Sequence, residues 1–385
     1  MRTDFLPFSP PAIGQEEIDE VVDSLRSDWI TTGPKVNRFE NDFASFVGAE
    51  AALAVFSGTD AMHIGLAALG IKAGDEVITT PFTFCSTAHV IEQVGGKPIL
   101  VDVEEDTLNI DPKLIEKPIS PHTRCILPVH LYGHPCELNE LRTLATEKDL
   151  FLLEDAAHAI PAKYRGEMVG AKDAKVAFSF YATKNMTTAE GGMLVGNREF
   201  IQLARIWSLH GMSRDAYNRY GAEGSWYYEV VLPGFKCNMT DVQAAIGIQQ
   251  LKKLPRFQER RKEIVKRYNQ AFSQFSEIEI PIEKPYVESA WHIYAIRLNL
   301  EMLTIDRNRF IEELKLRNIG SSVHFIPVHL HPYYRDKYGY KPEDFPVAYR
   351  NYQRIISLPL NLRLSDKDVD DVIEAVADII EKYKR

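Results

Sequence analysis

The sequence predicts an α/β fold, a mainly parallel sheet with flanking helices, plus a smaller C-terminal α+β domain. Three observations carry that expectation. Short apolar strands alternate with helices between residues 60 and 153, the pattern of βαβ units and of a parallel sheet. The texture changes after residue 240, where helices dominate and strands become scarce. The length of 385 residues is long for one compact domain and comfortable for two. We expect a large α/β domain over residues 1–250 and a small α+β domain over residues 251–385, with the boundary placed to within about ten residues.

The elements follow in order. Glu16–Ser27 places Ile18, Val21, Val22 and Leu25 at helical spacing, an amphipathic helix. Asp60–Leu69 reads as a helix and Glu76–Thr79 as a short strand. Phe84–Val94 looks helical and stops at the glycine pair Gly95-Gly96. Lys97–Val101 and Arg124–Val129 are strands, Leu138–Lys148 is a helix and Leu150–Leu153 a strand. Two more apolar runs, Val176–Tyr181 and Met193–Val195, flank a polar stretch that holds Lys184. Thr240–Leu251 and Pro255–Phe272 read as two helices, the second long and highly charged. Trp291–Leu298 is a strand and Arg307–Arg317 a helix. Ser365–Tyr383 is a terminal helix with Ser365 as N-cap and Val369, Val372, Ile373, Val376 and Ile380 on one face.

Composition narrows the class. The apolar fraction of 45% is ordinary for a soluble globular protein. No run of about 18 apolar residues is present, so no membrane span or membrane partner is expected. The start, MRTDFLPFSPPAIG, lacks a basic-then-apolar pattern, and a cytoplasmic chain follows by default. A net charge of -9 argues against nucleic-acid binding. Cys85, Cys125, Cys136 and Cys237 are scattered with no CxxC pair, which suits packing residues in a reducing compartment. No metal site is expected.

Three short stretches carry chemistry. In FLLEDAAHA, residues 151–159, an apolar strand ends and Asp155 follows at once. Open parallel sheets bind ligands beyond the carboxyl ends of their strands. A carboxylate held there needs a positive partner, although the same Asp could simply cap the next turn. His158 taken alone suits packing. In SGTDAM, residues 57–62, Ser57, Gly58 and Thr59 precede a helix near Asp60. Small residues there can turn backbone N–H groups toward a phosphate, and they also make an ordinary cap. Lys184 lies on the turn after Val176–Tyr181, followed by Thr187, Thr188 and Gly191-Gly192. A solvated turn lysine would look the same, but a semi-buried one has a depressed pKa and attacks carbonyls. An amine nucleophile, a buried carboxylate and a phosphate cradle on an α/β sheet together suit pyridoxal 5'-phosphate. The lysine would form the imine, the carboxylate would keep the ring nitrogen protonated, and the helix end would take the phosphate.

The motif SFYATKN with EGG, preceded by LEDAAHA, resembles the DegT-type sugar-nucleotide aminotransferases, which are fold-type I pyridoxal-phosphate enzymes. The resemblance runs from DWITTGPKVNRFENDF through SGTDAMHIGLAALGIKAGDEVITTPFTF, VHLYGHP and PGFKCNMTDVQAAIG to SAWHIYAIRL, SSVHFIPVHLHPYY and ISLPLNLRLSDKDVD. WITTGPK, EDAAHA and KN-TxAEGG are most similar to the branch that makes UDP-4-amino-4-deoxy-L-arabinose. By this resemblance Lys184 carries the imine and Asp155 pairs with the pyridinium nitrogen, while His158 lies near the cofactor's phenolic oxygen. Gly58, Thr59 and Asp60 form the phosphate-binding helix start, joined by the Ser179 hydroxyl. Phe84 stacks on the ring where the arabinose branch has Trp, a departure that keeps stacking with less area. Asn238 matches an asparagine that reaches the neighbouring subunit's cofactor, which implies a homodimer with shared sites. Some members replace the lysine with His and become dehydratases; Lys184 favours transamination.

The resemblance implies that glutamate donates the amino group to a 4-keto sugar linked to a nucleotide, UDP by likeness. The product would serve a surface glycan or lipid A. A pseudaminic-acid type of aminotransferase, a pyridoxal-phosphate lyase or dehydratase, and a cofactor-binding regulator without turnover are the alternatives. The stretch SSVHFIPVHLHPYY, residues 321–334, offers His329, His331 and Tyr334 as candidates for the sugar hydroxyls or the diphosphate.

Overall fold

Short, largely buried strands assemble into one large sheet. The computed structural model describes residues 2–213 and 227–385. The strands of its N-terminal part are β1 (Ala51–Val55), β2 (Glu76–Thr79), β3 (Lys97–Leu100), β4 (Thr123–Ile126) and β5 (Phe151–Asp155). A small hairpin, β6 (Lys163–Tyr164) and β7 (Glu167–Met168), leads to β8 (Lys175–Ser179) and β9 (Gly192–Gly196). The large sheet is seven-stranded with the order β1-β9-β8-β5-β4-β2-β3. The pairs β8–β5, β5–β4, β4–β2 and β2–β3 are parallel, whereas β9 runs antiparallel to both of its neighbours. Consecutive residues are buried on β2 (Val77, Ile78) and on β4 (Cys125, Ile126), so helices cover both faces. The mainly parallel sheet with flanking helices is the architecture expected from the sequence.

This topology aims chemistry at one edge. β5, β8 and β1 point the same way, so their carboxyl ends meet. β5 ends on Asp155, β8 on Ser179 ahead of the Lys184 turn, and β1 leads through Phe56 into the helix Gly58–Ala68. Sequence and structure differ here by two residues: the expected strand ends at Leu153, whereas β5 runs on through Asp155.

The C-terminal part has β10 (Ile278–Glu279), β11 (Val287–Glu288), β12 (Tyr294–Leu298) and β13 (Ile355–Leu358). An antiparallel sheet of order β10-β12-β13 packs with Tyr268, Phe272, Val369, Val372, Val376 and Ile380 in one core. Ser365 caps its helix, its hydroxyl accepting the Asp368 N–H at 3.1 Å. The two helices read around Pro255 are one continuous helix, Asp241–Phe272. Packing overrides the proline: Leu251, Leu254 and Phe257 are buried on both sides of it. The first half of this helix joins the large-sheet core through Ala244 and Ile248, and the second half joins the C-terminal core through Ile264 and Tyr268. Leu6 also belongs to the C-terminal core, so the first residues pack with the end of the chain. β11 pairs back onto β6.

The helix Gln15–Arg26 is amphipathic as expected, but its apolar side faces outward. Ile18 and Leu25 are exposed, whereas Glu17 and Ser24 are buried. Glu17 is satisfied by the Gly14 N–H at 2.8 Å, Gln250 Nε2 at 2.9 Å and Lys253 Nζ at 2.7 Å. Among the described residues no helix is long and apolar enough to cross a membrane.

Candidate active site

The strand ends open into a cavity of about 540 Å³. Its lining includes Gly58, Thr59, Phe84, Asp155, His158, Ser179 and Lys184, which the sequence singles out, and also His292, His324 and Phe325.

Lys184 is half-buried in a turn closed by its own N–H donating to the Tyr181 carbonyl at 2.9 Å. Burial lowers its ammonium to about 8, against the charge of Asp155, which favours the protonated form. Roughly a tenth of Lys184 is therefore free amine at neutral pH, far more than for an ordinary lysine. Asp155 is buried, with Oδ1 accepting the Ala157 N–H at 3.0 Å and Oδ2 accepting the Thr87 hydroxyl at 2.9 Å. Burial raises its pKa; the Ala157 N–H, Thr87, Lys184 and His130 pull it back. A cationic ring nitrogen brought beside this carboxylate would supply the missing compensation.

His158 is buried, and its Nδ1 accepts the Tyr132 N–H at 3.3 Å, which leaves the ring proton on Nε2. Burial, then Lys184 and His324, hold its pKa well below the usual histidine range. The neutral ring can donate to a phenolic oxygen without carrying charge. The His292 ring lies tilted against it at 4.4 Å and is fixed through Nδ1 to Asn185 Oδ1 at 3.1 Å.

At the far wall, the helix Gly58–Ala68 starts under Ser57, whose hydroxyl accepts the Asp60 N–H at 3.0 Å. That cap engages the Asp60 N–H, and of the three expected helix-start residues Gly58 and Thr59 line the cavity. Two close approaches explain the local glycines. A Cβ on Gly58 would lie 2.8 Å from the Ser179 Cβ, and one on Gly192 would lie 2.3 Å from the Ser57 carbonyl oxygen. The second glycine of EGG thus lets β9 pass beneath the helix start, and Gly58 brings Ser179 up to it. A dipole-favoured anion cradle, a buried carboxylate and a low-pKa amine around one cavity fit pyridoxal phosphate.

The stretch 321–334 does reach the cavity, but through His324 and Phe325. His329, His331 and Tyr334, the sugar-side candidates, do not line this cavity. A short turn, Val328–Leu330, swings His329 inward, fully buried against Phe345 at 4.8 Å. Tyr334 is buried and stacks on His89 at 5.7 Å, while His331 starts the helix Pro332–Tyr338. Phe325 instead lies 5.8 Å from His158 and 5.9 Å from Phe84. Asn238 also lies outside this cavity, where its Nδ2 donates to Thr32 Oγ1 at 2.6 Å. Sequence reasoning does not single out His292 or Phe325. The clue for His292 is its position just ahead of β12 in SAWHIYAIRL; Phe325 has no local signal.

A sheet of this order with this cavity at its strand ends defines a fold-type I pyridoxal-phosphate enzyme. The DegT/DnrJ/EryC1/StrS aminotransferase family profile matches residues 11–377, and the chain belongs to that family. It is 50% identical over 381 residues to the spore coat polysaccharide biosynthesis protein SpsC of Bacillus subtilis, covering 98% of each chain. It superposes with a TM-score of 0.92 on the PMP form of Spr1654 from Streptococcus pneumoniae, a protein described as a sugar aminotransferase and also solved in a PLP form. That pair shares 36% identity over 98% of this chain and 99% of the other. Helicobacter pylori PseC, an aminotransferase of pseudaminic acid biosynthesis, superposes with a TM-score of 0.90 at 28% identity, covering 99% and 100% of the two chains. The chain is a pyridoxal-phosphate-dependent sugar aminotransferase.

Proposed function

We propose that this chain transfers the amino group of glutamate to C4 of a UDP-linked 4-keto sugar, for a surface glycan or lipid A. The observation that carries the reading is the Lys184 amine, lowered to about 8, sharing a cavity with the buried Asp155 carboxylate and the helix start at Gly58. Bound pyridoxal phosphate would supply an electron sink that stabilises a carbanion on the amino donor. The chain's own residues do the rest. The free Lys184 amine would hold the cofactor and would move the proton taken from the amino donor. Asp155 keeps the ring nitrogen charged. Gly58 and Thr59 N–H groups and the Ser179 hydroxyl hold the phosphate, and His158 Nε2 donates to the phenolic oxygen. Phe84 covers the ring. Return of the amino group to the keto sugar uses the same groups in reverse.

A homodimer with shared sites belongs to this reading. Ile18, Leu25, Ile30, Phe56, Tyr181, Val230 and Val231 are exposed apolar side chains. The Phe56 N–H donates to the Cys237 carbonyl at 2.8 Å, so part of this surface adjoins Asn238. An exposed apolar side chain, Phe56, adjoining Asn238 supports burial against a second copy, with Asn238 directed at that copy's phosphate. The likeness to PseC supports a 6-deoxy acetamido sugar as the alternative substrate. The test is incubation with amine-¹⁵N glutamate and a panel of UDP-, TDP- and GDP-linked 4-keto sugars, read by mass. A labelled 4-amino sugar on UDP is expected. Release of ammonia, or no amination of any sugar, contradicts the proposal.

A further inference from the structure

We propose that Tyr132 is a positioning residue of this site, one that locks the three cavity histidines and the Phe325 wall into a single arrangement. Tyr132 does not line the cavity; it stands behind it, buried, in the turn Leu131–Gly133 that follows β4. Three of its groups reach three separate segments. Its N–H donates to His158 Nδ1 at 3.3 Å, beyond β5. Its carbonyl oxygen accepts the His292 N–H at 2.8 Å and the Ile293 N–H at 3.3 Å, ahead of β12. Its hydroxyl donates to the His324 carbonyl oxygen, ahead of β13. The large sheet supplies the first segment and the C-terminal part supplies the other two.

The backbone shows that this hub comes at a cost. Tyr132 has φ 58° and ψ 3°, the left-handed region that a bulky side chain adopts only against about 1 kcal/mol or more of steric resistance. Glycine or asparagine would relax that turn, but neither would reach His324. Burial also pushes the phenol's pKa far up, so the hydroxyl stays a donor throughout the working pH range.

The consequence runs through Phe325. The hydroxyl anchors the residue directly before it, and the Phe325 ring then lies nearly parallel to His158, 17° apart at 5.8 Å, with Phe84 at 5.9 Å. This wall bounds the cavity that Lys184 shares, and burial is the chief reason that amine is lowered to about 8. Without the hydroxyl the His324–Phe325 arm loosens, water enters, and Lys184 returns toward its ordinary value of 10.5.

The proposal rests on the sugar-aminotransferase reading for its kinetic readout and on this chain alone for its second readout. Tyr132→Phe keeps the ring and both backbone contacts and removes only the link to His324. In the full chain freed of cofactor, the pH midpoint for amine-reagent modification of Lys184, followed by peptide mapping, should rise by about half a pH unit or more. In the holoenzyme, kcat/KM for the keto sugar should fall about tenfold. Phe325→Ala should do the same, and the double variant should be no worse than either single one, because both act through one arm. An unmoved Lys184 midpoint in Tyr132→Phe overturns the proposal. So does a double variant whose losses multiply. A wild-type chain that aminates no sugar would contradict the proposed function instead, while the midpoint comparison would still decide the role of Tyr132.

Discussion

Asp155→Asn separates charge from shape at the centre of the site. In the wild type, Oδ1 accepts the Ala157 N–H, Oδ2 accepts the Thr87 hydroxyl, and Thr87 is 2.8 Å from the Thr83 hydroxyl. An asparagine with Oδ1 toward Ala157 places its NH₂ against Thr87. The two hydroxyls can then reverse, so that the amide donates to Thr87 and Thr87 donates to Thr83. The reversal takes its acceptor from the Thr83 hydroxyl, so a stability loss of about 1–3 kcal/mol is expected. The charge effect is larger. Removing one partner of a buried ion pair costs about 3–5 kcal/mol. At about 1.4 kcal/mol per decade this predicts a loss of roughly 10²- to 4 × 10³-fold in turnover. Lys184 supplies a second readout of definite sign. Asp155 raises the Lys184 pKa, so its removal should move that midpoint below about 8. Single-turnover absorbance of the bound cofactor with glutamate measures the first effect, the pH profile of Lys184 modification measures the second, and a thermal melt checks the fold. Near wild-type turnover with cofactor bound would refute the reasoning, as would a midpoint that rises.

Gly58→Ala drives a Cβ to 2.8 Å from Ser179 Cβ and 3.2 Å from its Cα; the helix start must shift, and cofactor Kd should rise at least about tenfold, measured by fluorescence titration. Retained affinity would show that this end of the helix does not hold the phosphate. Asn238→Ala and Lys184→Ala should each be inactive, yet mixed and allowed to exchange subunits they should recover activity, because one of the two sites in each hybrid dimer is whole. No recovery after demonstrated exchange would place each site within one chain. His329→Ala should lower stability by about 2 kcal/mol in denaturant titration without a selective rise in sugar KM, since His329 fills a core. The wild type also carries a pH slope from this residue. Burial lowers its pKa from 6.5 to about 4, so the unfolded chain takes a proton that the folded one refuses, and stability falls as pH drops from 6.5 toward 4. That component should disappear in the variant, and a slope unchanged by the substitution would count against it.

The sheet was legible because its strands are short apolar runs separated by helices, and periodicity reports burial directly. Lys184, Asp155 and Ser179 could be placed because each sits at the end of such a run. Direction was less legible. The helix at Ile18 and Leu25 has the expected spacing, but spacing alone does not say that the apolar side faces away from its own core. Pro255 reads as a boundary until the buried residues on both sides of it are seen. The sugar-side candidates His329, His331 and Tyr334 lie outside the cavity that His324 and Phe325 line, because a three-residue turn decides which side chains face inward, and composition does not record it. Tyr132 escaped notice because its role lies in its backbone and its hydroxyl at once, which no spacing rule reports.

The most direct test of the account is reductive trapping of the cofactor on the holoenzyme with borohydride, followed by peptide mapping. The account predicts that the pyridoxyl label falls on Lys184, in the peptide containing YATKN, and that prior incubation with glutamate reduces that label. A label on any other lysine, or a Lys184 label that glutamate leaves untouched, would contradict it.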